Sequence, residues 1–190
     1  MRELKLQVQI SVDGIIAGPN GEMDWLVWDW DDELKRYVSE LTSTIGTIVL
    51  GRKLAEGFIP HWTNLAQDPN GPEYAAARIF VDTPKVVFTK SVEHAEWENS
   101  VVATGDLVKE INGLKNQSGS DIIAYGGATF VSALIKEDLI DEYHLFVNPA
   151  VLGDGMAIFK GVDSRRNLNL VKASGFDCGI VLLHYEPRGD

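Results

Sequence analysis

Three short stretches carry residues able to hold a phosphorylated ligand. The first is Tyr125-Gly126-Gly127-Ala128-Thr129. Paired glycines between a strand and a helix let backbone come close to a ligand, and the free N–H groups of a helix start favour a phosphate. A glycine pair alone is equally compatible with a tight turn and no ligand. The second is Gly51-Arg52-Lys53, which follows an apolar run. Arginine grips a phosphate bidentately and lysine adds a point charge, whereas ordinary surface charge is the bland alternative. The third is Thr89-Lys90-Ser91, where hydroxyls beside a cation suit a further phosphate such as a ribose 2′-phosphate. A polar turn competes with that reading. Taken together, three anion-compatible strand ends fit an extended dinucleotide with a pyrophosphate and one extra phosphate. The usual Rossmann fingerprint is absent, because no G-x-G-x-x-G follows the first strand.

Aromatic and acidic residues form a second group. Trp25, Trp28, Trp30 and Trp62 flank the first helix and could wall a pocket for a flat ring, with core packing as the competing role. Asp29, Asp31 and Asp32 are candidate catalytic acids, able to deliver a proton through a water if one sits in a desolvated pocket. Helix capping competes for the same carboxylates. His61, between Pro60 and Trp62, is a further donor candidate or an exposed loop side chain. His61, His94, His144 and His184 are dispersed, and no Cys/His pair has ligand spacing, so no metal is expected. Neither a G-x-S-x-G elbow nor a Walker-type loop occurs. The single cysteine, Cys178, cannot make an internal disulfide and lies in an apolar run, which suits a buried side chain in a reducing, cytoplasmic setting.

These residues need a frame. Residues 4–12 alternate apolar and polar and read as a strand rather than a signal peptide. Asp31 or Asp32 can cap a helix through Leu34, Tyr37, Val38 and Leu41. Residues 47–50 read as a buried strand, 73–80 as a helix, 85–89 as a buried strand and 101–103 as a short one. Residues 106–114 form an amphipathic helix capped by Asp106. A strand at 121–125, the glycine break, a helix at 128–136 and a strand at 143–151 form the clearest unit. Residues 168–171 and 180–185 flank a turn at 175–179 as an antiparallel hairpin. Strands alternating with helices imply a mostly parallel α/β sheet, helices on both faces and an antiparallel edge. No linker or repeat divides the 190 residues, so one domain over 1–190 is expected.

Composition narrows the partners. With 45% apolar and 24% charged residues the chain is ordinary for a folded domain, and a net charge of −11 argues against nucleic acid and anionic membrane surfaces. No stretch is long and apolar enough to span a bilayer. A small-molecule ligand held by local cations remains the favoured partner.

Six motifs, in order, resemble the dihydrofolate-reductase-like superfamily, and most closely the reductase domain of bifunctional riboflavin-biosynthesis deaminase–reductases. They are Ser11-Val12-Asp13-Gly14-Ile15-Ile16-Ala17 with Trp25, then Ile48-Val49-Leu50-Gly51-Arg52, then Lys85-Val86-Val87-Phe88-Thr89. Ile123-Ala124-Tyr125-Gly126-Gly127, Leu139-Ile140-Asp141-Glu142 and Pro149-Ala150-Val151-Leu152-Gly153-Asp154-Gly155 complete the set. The resemblance implies a three-layer fold with an eight-stranded, mainly parallel sheet and a C-terminal hairpin, and NADPH as hydride donor. It implies phosphate contacts from Gly51, Arg52 and Lys53, a 2′-phosphate near Thr89, Lys90 and Ser91, and a pyrophosphate cradle at Gly126, Gly127, Ala128 and Thr129. Ile16 and Ala17 would touch the nicotinamide, beneath a mobile flap over 14–25. It also suggests a homodimer, partly through residues 154–159. The chain carries no zinc-ligand motifs of a fused deaminase, so a stand-alone reductase is expected.

The expected activity is hydride transfer to a C=N or C=O carbon of a pyrimidine–ribose phosphate held near Trp25 and Trp30, with proton supply from water or one of Asp29, Asp31 and Asp32. Dihydrofolate or another pterin is the runner-up substrate. A non-catalytic nucleotide-binding module and a flavin-binding protein are the readings from other classes.

Overall fold

Alternation along the first strand sorts its side chains onto two buried faces. The structure, a computed structural model, describes residues 1–91 and 97–189. His94 lies outside the described residues. In strand β1 (Leu4–Ile10), Leu4, Leu6, Val8 and Ile10 enter the largest core cluster. The alternate residues Lys5 and Gln7 are also buried, at 9% exposure each, so the polar positions do not face water.

The chain continues through β2 (Ile15–Ala17), α1 (Asp32–Ser43), β3 (Ile45–Gly51), α2 (Arg52–Leu65), α3 (Tyr74–Asp82), β4 (Lys85–Phe88) and β5 (Ser100–Ala103). It ends with α4 (Leu107–Lys115), β6 (Asp121–Ala124), α5 (Ala128–Lys136), β7 (Glu142–Val147), β8 (Met156–Ala157), β9 (Leu168–Gly175) and β10 (Val181–Pro187). Eight strands form one sheet in the order β5-β4-β3-β6-β1-β7-β10-β9, and β2 with β8 makes a separate two-stranded ladder. β1, β3, β4, β5, β6 and β7 run parallel, while β10 is antiparallel to both β7 and β9. The expected mostly parallel α/β sheet with a C-terminal antiparallel pair is therefore what the chain forms.

Both faces are covered. Phe130, Val131, Leu134 and Ile135 of α5 and Ile111 of α4 pack with the even-numbered residues of β1. On the other face Leu41 of α1, Ala55 and Ile59 of α2 and Phe80 of α3 pack against Ile48, Leu50, Val87 and Ile123. Leu34 of α1 joins Phe146, Phe176, Ile180 and Leu182 in a third cluster under the antiparallel edge. Among the described residues no helix is long and apolar enough to cross a membrane.

Asp31 and Asp106 cap α1 and α4, accepting from the Leu34 and Lys109 amides at 2.9 and 3.0 Å. The first strand stops at Ile10 rather than Val12, because the Ser11 N–H turns to the Ile15 carbonyl, 2.9 Å away. The strand expected to reach Val151 stops at Val147, where Asn148-Pro149 begins a loop. The largest departure is α2: sequence patterning offers no helix there, since Gly57 and Pro60 interrupt it, yet fourteen residues form one.

Gly51 has an ordinary extended backbone, with φ −76°. Its need for glycine is space: a Cβ there would lie 2.8 Å from Phe130 Cβ. Gly51→Ala should therefore destabilise the chain by roughly 1–3 kcal/mol through overpacking between β3 and α5. Urea unfolding of the variant beside the wild type measures it.

Candidate functional site

Parallel strands direct their carboxyl ends to one rim, and the three anion-compatible segments meet there. Gly51 pairs in register with Phe88, so Thr89-Lys90-Ser91 leaves the sheet beside it. Val49 pairs with Ala124, which brings Gly51 and Gly126 side by side two residues further on. From β4 across β3 to β6 the segments span two strand spacings, about 10 Å.

The backbone at the centre of this rim is unusual. Gly126 has φ +145° and Gly127 φ +83°, conformations that side-chain-bearing residues rarely adopt. Gly127 is the N-cap of α5 and offers no side-chain cap, so Ala128 and Thr129 open the helix without a side-chain acceptor for their amides. α2 starts directly at Arg52, again without a side-chain cap and without an acidic residue in its first turn. Leu54 of that turn lies 3.6 Å from the Cβ position of Gly127, so the two helix starts adjoin. Two N-termini and two cations thus concentrate positive potential at one place.

Arg52 ion-pairs with Glu56 one turn along, whereas Lys53 and Lys90 are exposed and join none of the ion pairs among the described residues. Thr89 Oγ1 accepts from the Ser91 amide at 3.1 Å and lies 3.3 Å from Ser91 Oγ, giving a compact hydroxyl turn. Ile16 reaches the same rim, with its Cδ1 3.4 Å from the Cβ position of Gly126. Ala17 sits next to it on β2, pinned by the ladder to β8.

Two anchors hold the segment between β1 and α1. Asp13 accepts from Ser11 Oγ at 2.7 Å, from the Gly153 amide at 2.7 Å and from the Leu152 amide at 3.1 Å. These bonds, the Ser11 hydroxyl first, hold its carboxyl down at about 2. Gly155 is required beside β2, because a Cβ there would stand 2.4 Å from the Ala17 carbonyl oxygen. The second anchor is Asn148, fully buried at the end of β7. Its Oδ1 accepts from the Val27 amide at 2.9 Å and its Nδ2 donates to Gln9 Oε1 at 3.2 Å. Sequence reasoning missed Asn148; an Asn-Pro pair directly after a strand was the available signal.

The aromatic and acidic candidates divide. Trp25 is half-buried and held only locally, its Nε1 donating to the Glu22 carbonyl at 3.2 Å. Trp30 donates to the Val27 carbonyl at 2.8 Å and packs into the cluster of Leu34 and Phe146. Trp28 is 65% exposed, and Trp62 stacks on Phe80 at 4.2 Å in the α2–α3 core rather than walling a pocket. His61 is exposed against Trp62. Asp31 is committed to capping: it accepts from Leu34 and, at 3.1 Å, from the Cys178 amide. The Leu34 N–H above all keeps its carboxyl below the usual range, so it is a poor proton donor. Asp29 and Asp32 are exposed. No desolvated acid faces the rim from this group.

The sequence pattern of the RibD C-terminal domain family matches residues 2–182. The Bacillus subtilis (strain 168) protein YyaP, itself uncharacterized, is 33% identical over 192 residues, spanning 99% of this chain and 96% of its own. Among solved structures, a Shewanella sp. PV-4 protein assigned to riboflavin biosynthesis superposes with a TM-score of 0.72 at 22% identity, over the full length of both chains. The diaminohydroxyphosphoribosylaminopyrimidine deaminase/5-amino-6-(5-phosphoribosylamino)uracil reductase of Thermotoga maritima gives 0.68 at 20% identity, covering 98% of this chain and 57% of that one. At such identities the likeness speaks to the fold, which is the dihydrofolate-reductase-like one.

The Asp13 anchor has a pH signature. Its folded pKa lies below the unfolded value near 3.9, so its stabilisation is complete above about pH 4 and is lost as pH falls toward 2. The protection of the Leu152 and Gly153 amides, relative to the intrinsic exchange rate at each pH, should fall across that window. Asp13→Asn should show the lower protection already at neutral pH, read by hydrogen–deuterium exchange.

Proposed function

Because the chain belongs to the RibD C-terminal domain family, we propose that it is an NADPH-dependent reductase acting on a pyrimidine–ribose phosphate or a related small heterocycle. The carrying observation is the rim where Gly126 and Gly127, both at positive φ, open the start of α5 beside the start of α2. At these φ values a Cβ would strain the turn, although the space around it is open enough, so the backbone stays bare where a pyrophosphate needs close approach. Gly126, Gly127, Ala128 and Thr129 would hold the pyrophosphate, Gly51, Arg52 and Lys53 the flanking phosphate, and Thr89, Lys90 and Ser91 a 2′-phosphate. Ile16 and Ala17 would border the nicotinamide.

When bound, the reduced nicotinamide supplies a hydride. The chain's own part would be alignment: the rim would fix the donor's phosphates, and the anchored β2 segment would border its ring. Trp25 and Trp30 lie on the segment that would border the substrate. Water is the favoured proton source, since Asp31 is spent on capping. That same observation favours a second reading, a nucleotide-binding module without turnover. NADPH oxidation with 5-amino-6-(5-phosphoribosylamino)uracil-type and pterin substrates separates the two: binding without oxidation of NADPH supports the module.

A reducing, cytoplasmic setting fits the lone Cys178, and a homodimer fits the exposed Val151, Met156 and Phe159 around β8. Light scattering on the purified chain should give twice the chain mass, and Phe159→Asp should return it to one. A mass of one chain in the wild type would remove this reading.

NADPH should bind more tightly than NADH. Arg52→Ala should weaken NADPH binding by roughly 1.5–3 kcal/mol in calorimetric titration, the scale of a charge-assisted contact. Equal affinities for the two nucleotides would overturn the 2′-phosphate assignment, and an unchanged Arg52→Ala would leave Arg52 on inert surface.

A further inference from the structure

The opposite end of the sheet holds a second cluster that the rim does not use. Histidines distant in sequence meet across strands: His144 of β7 and His184 of β10 are register partners, and Gln7 of β1 pairs with His144 on the other side. Spacing along the chain could not reveal this, and the sequence-based expectation of no ligand-spaced histidines overlooked it. The two imidazoles stack with ring centres 4.2 Å apart. Both ε nitrogens lie near one carboxylate oxygen: Glu142 Oε2 is 2.9 Å from His144 Nε2, in hydrogen-bonding geometry, and 3.3 Å from His184 Nε2, out of line for a hydrogen bond.

Two buried atoms in this row, Gln7 Oε1 and His184 Nε2, have no hydrogen-bond partner among the described residues. Such orphans are rare in folded chains, and an ion or water is the common reason for them. The three ligand atoms of Glu142, His144 and His184 all lie within 4.8 Å of one another. We propose that Glu142, His144 and His184 bind one divalent transition-metal ion of the zinc class, at the amino end of the sheet and separate from the cofactor rim.

The chemistry fits in four respects. Two imidazoles and one carboxylate are a preferred set for zinc-like ions, with a fourth position left for water. Metal–ligand bonds of about 2.0–2.2 Å in a tetrahedron put ligand atoms about 3.3–3.6 Å apart, so the carboxylate distances need to lengthen by about half an ångström or less. The two stacked rings, tilted by 23°, must also rotate so that their lone pairs converge. His144 has the outer partner such ligands use: its Nδ1 lies 2.7 Å from the Tyr37 hydroxyl. Metal on Nε2 requires the ring proton on Nδ1, where it donates to Tyr37 Oη; the hydroxyl serves either tautomer, so no net proton need leave. Finally, Lys5 Nζ contacts Glu142 at its other oxygen, Oε1, at 3.1 Å, and Asp121 at 3.3 Å. One ammonium shared by two carboxylates leaves room for further positive charge, and Oε2 stays available.

The test uses the tag-free full chain after chelator treatment. Titration with Zn²⁺, and with Co²⁺ as a coloured substitute, should show one equivalent per chain, tetrahedral-type Co²⁺ absorption and a raised melting temperature. His184→Gln should lose the site while melting like the metal-free wild type. Tyr37→Phe should keep the stoichiometry but bind about 10–100-fold more weakly, as loss of an outer partner does. A wild type that takes up no equivalent, with unshifted melting, overturns the proposal and assigns the orphan atoms to water. Equal uptake by His184→Gln overturns it as well. NADPH binding is read in the same samples, so the rim and the metal site stand or fall separately.

Discussion

Six strands run the same way through a sheet that is covered on both faces, and the placement of everything else follows from that. Parallel strands need long crossovers, and these are right-handed almost without exception, so every carboxyl end finishes on one rim and helices start there. β3 hands over to α2 at Arg52 and β6 to α5 at Ala128 with almost no intervening loop. Two uncapped helix N-termini are therefore neighbours by topology. The anion-friendly character of the rim is a property of the backbone first and of Arg52, Lys53 and Lys90 second. The glycines are what the close arrangement requires: Gly51 because Phe130 occupies its Cβ space, Gly126 and Gly127 because the chain turns through left-handed conformations.

The same covering creates a problem at the other end. β1 is central, so its alternate residues are buried whichever way they point, and Lys5 and Gln7 lie inside. Buried polar groups are costly without partners. The chain answers with a seam across β6, β1 and β7, in which Lys5 joins Asp121 and Glu142, Glu142 joins His144, and His144 joins Tyr37 on α1. This seam fixes register as well as charge, because a slip of one residue would place these groups among the aliphatic side chains of the other face. The sheet is thus asymmetric along its length. Its carboxyl rim presents backbone donors outward, and its amino end folds ionisable side chains inward.

What the sequence disclosed follows from which signals are local. Helix α5 is read to the residue, 128–136, because a glycine pair opens it and apolar residues recur at helical spacing. The caps at Asp31 and Asp106 are local too, as is the hairpin around residues 175–179. α2 was hidden because Gly57 and Pro60 are helix breakers by propensity, and only packing of Ala55, Ile59 and Trp62 against α3 and the sheet makes that stretch helical. The three phosphate-compatible segments could be named from residue types, but their adjacency depends on strand order, which no local signal encodes. Asp31 was legible both as a cap and as an acid; the second amide from Cys178, 147 residues away, decides for the cap. The His144–His184 pair was invisible for the same reason, since cross-strand register is a tertiary fact.

The segment between β1 and α1 is fixed at both ends and loosely held between them. At one end Asp13 grips the Leu152 and Gly153 amides, and β2 is clamped to β8. At the other, Asn148 takes the Val27 amide, and the half-buried Trp30 leads into the Asp31 cap. Between these anchors, residues 18–26 have mostly exposed side chains and short-range bonds, such as those of Asn20 and Trp25 to Glu22. Opening such a stretch breaks few buried contacts, so its free energy of opening is low compared with that of the sheet. Fixed ends limit the amplitude, so opening of this stretch leaves β1 undisturbed. The anchors Asp13 and Asn148 follow directly on β1 and β7, the strands that carry the seam. Two strands tied by the seam in their amino halves thus also fix, at their carboxyl ends, both ends of the loosely held stretch.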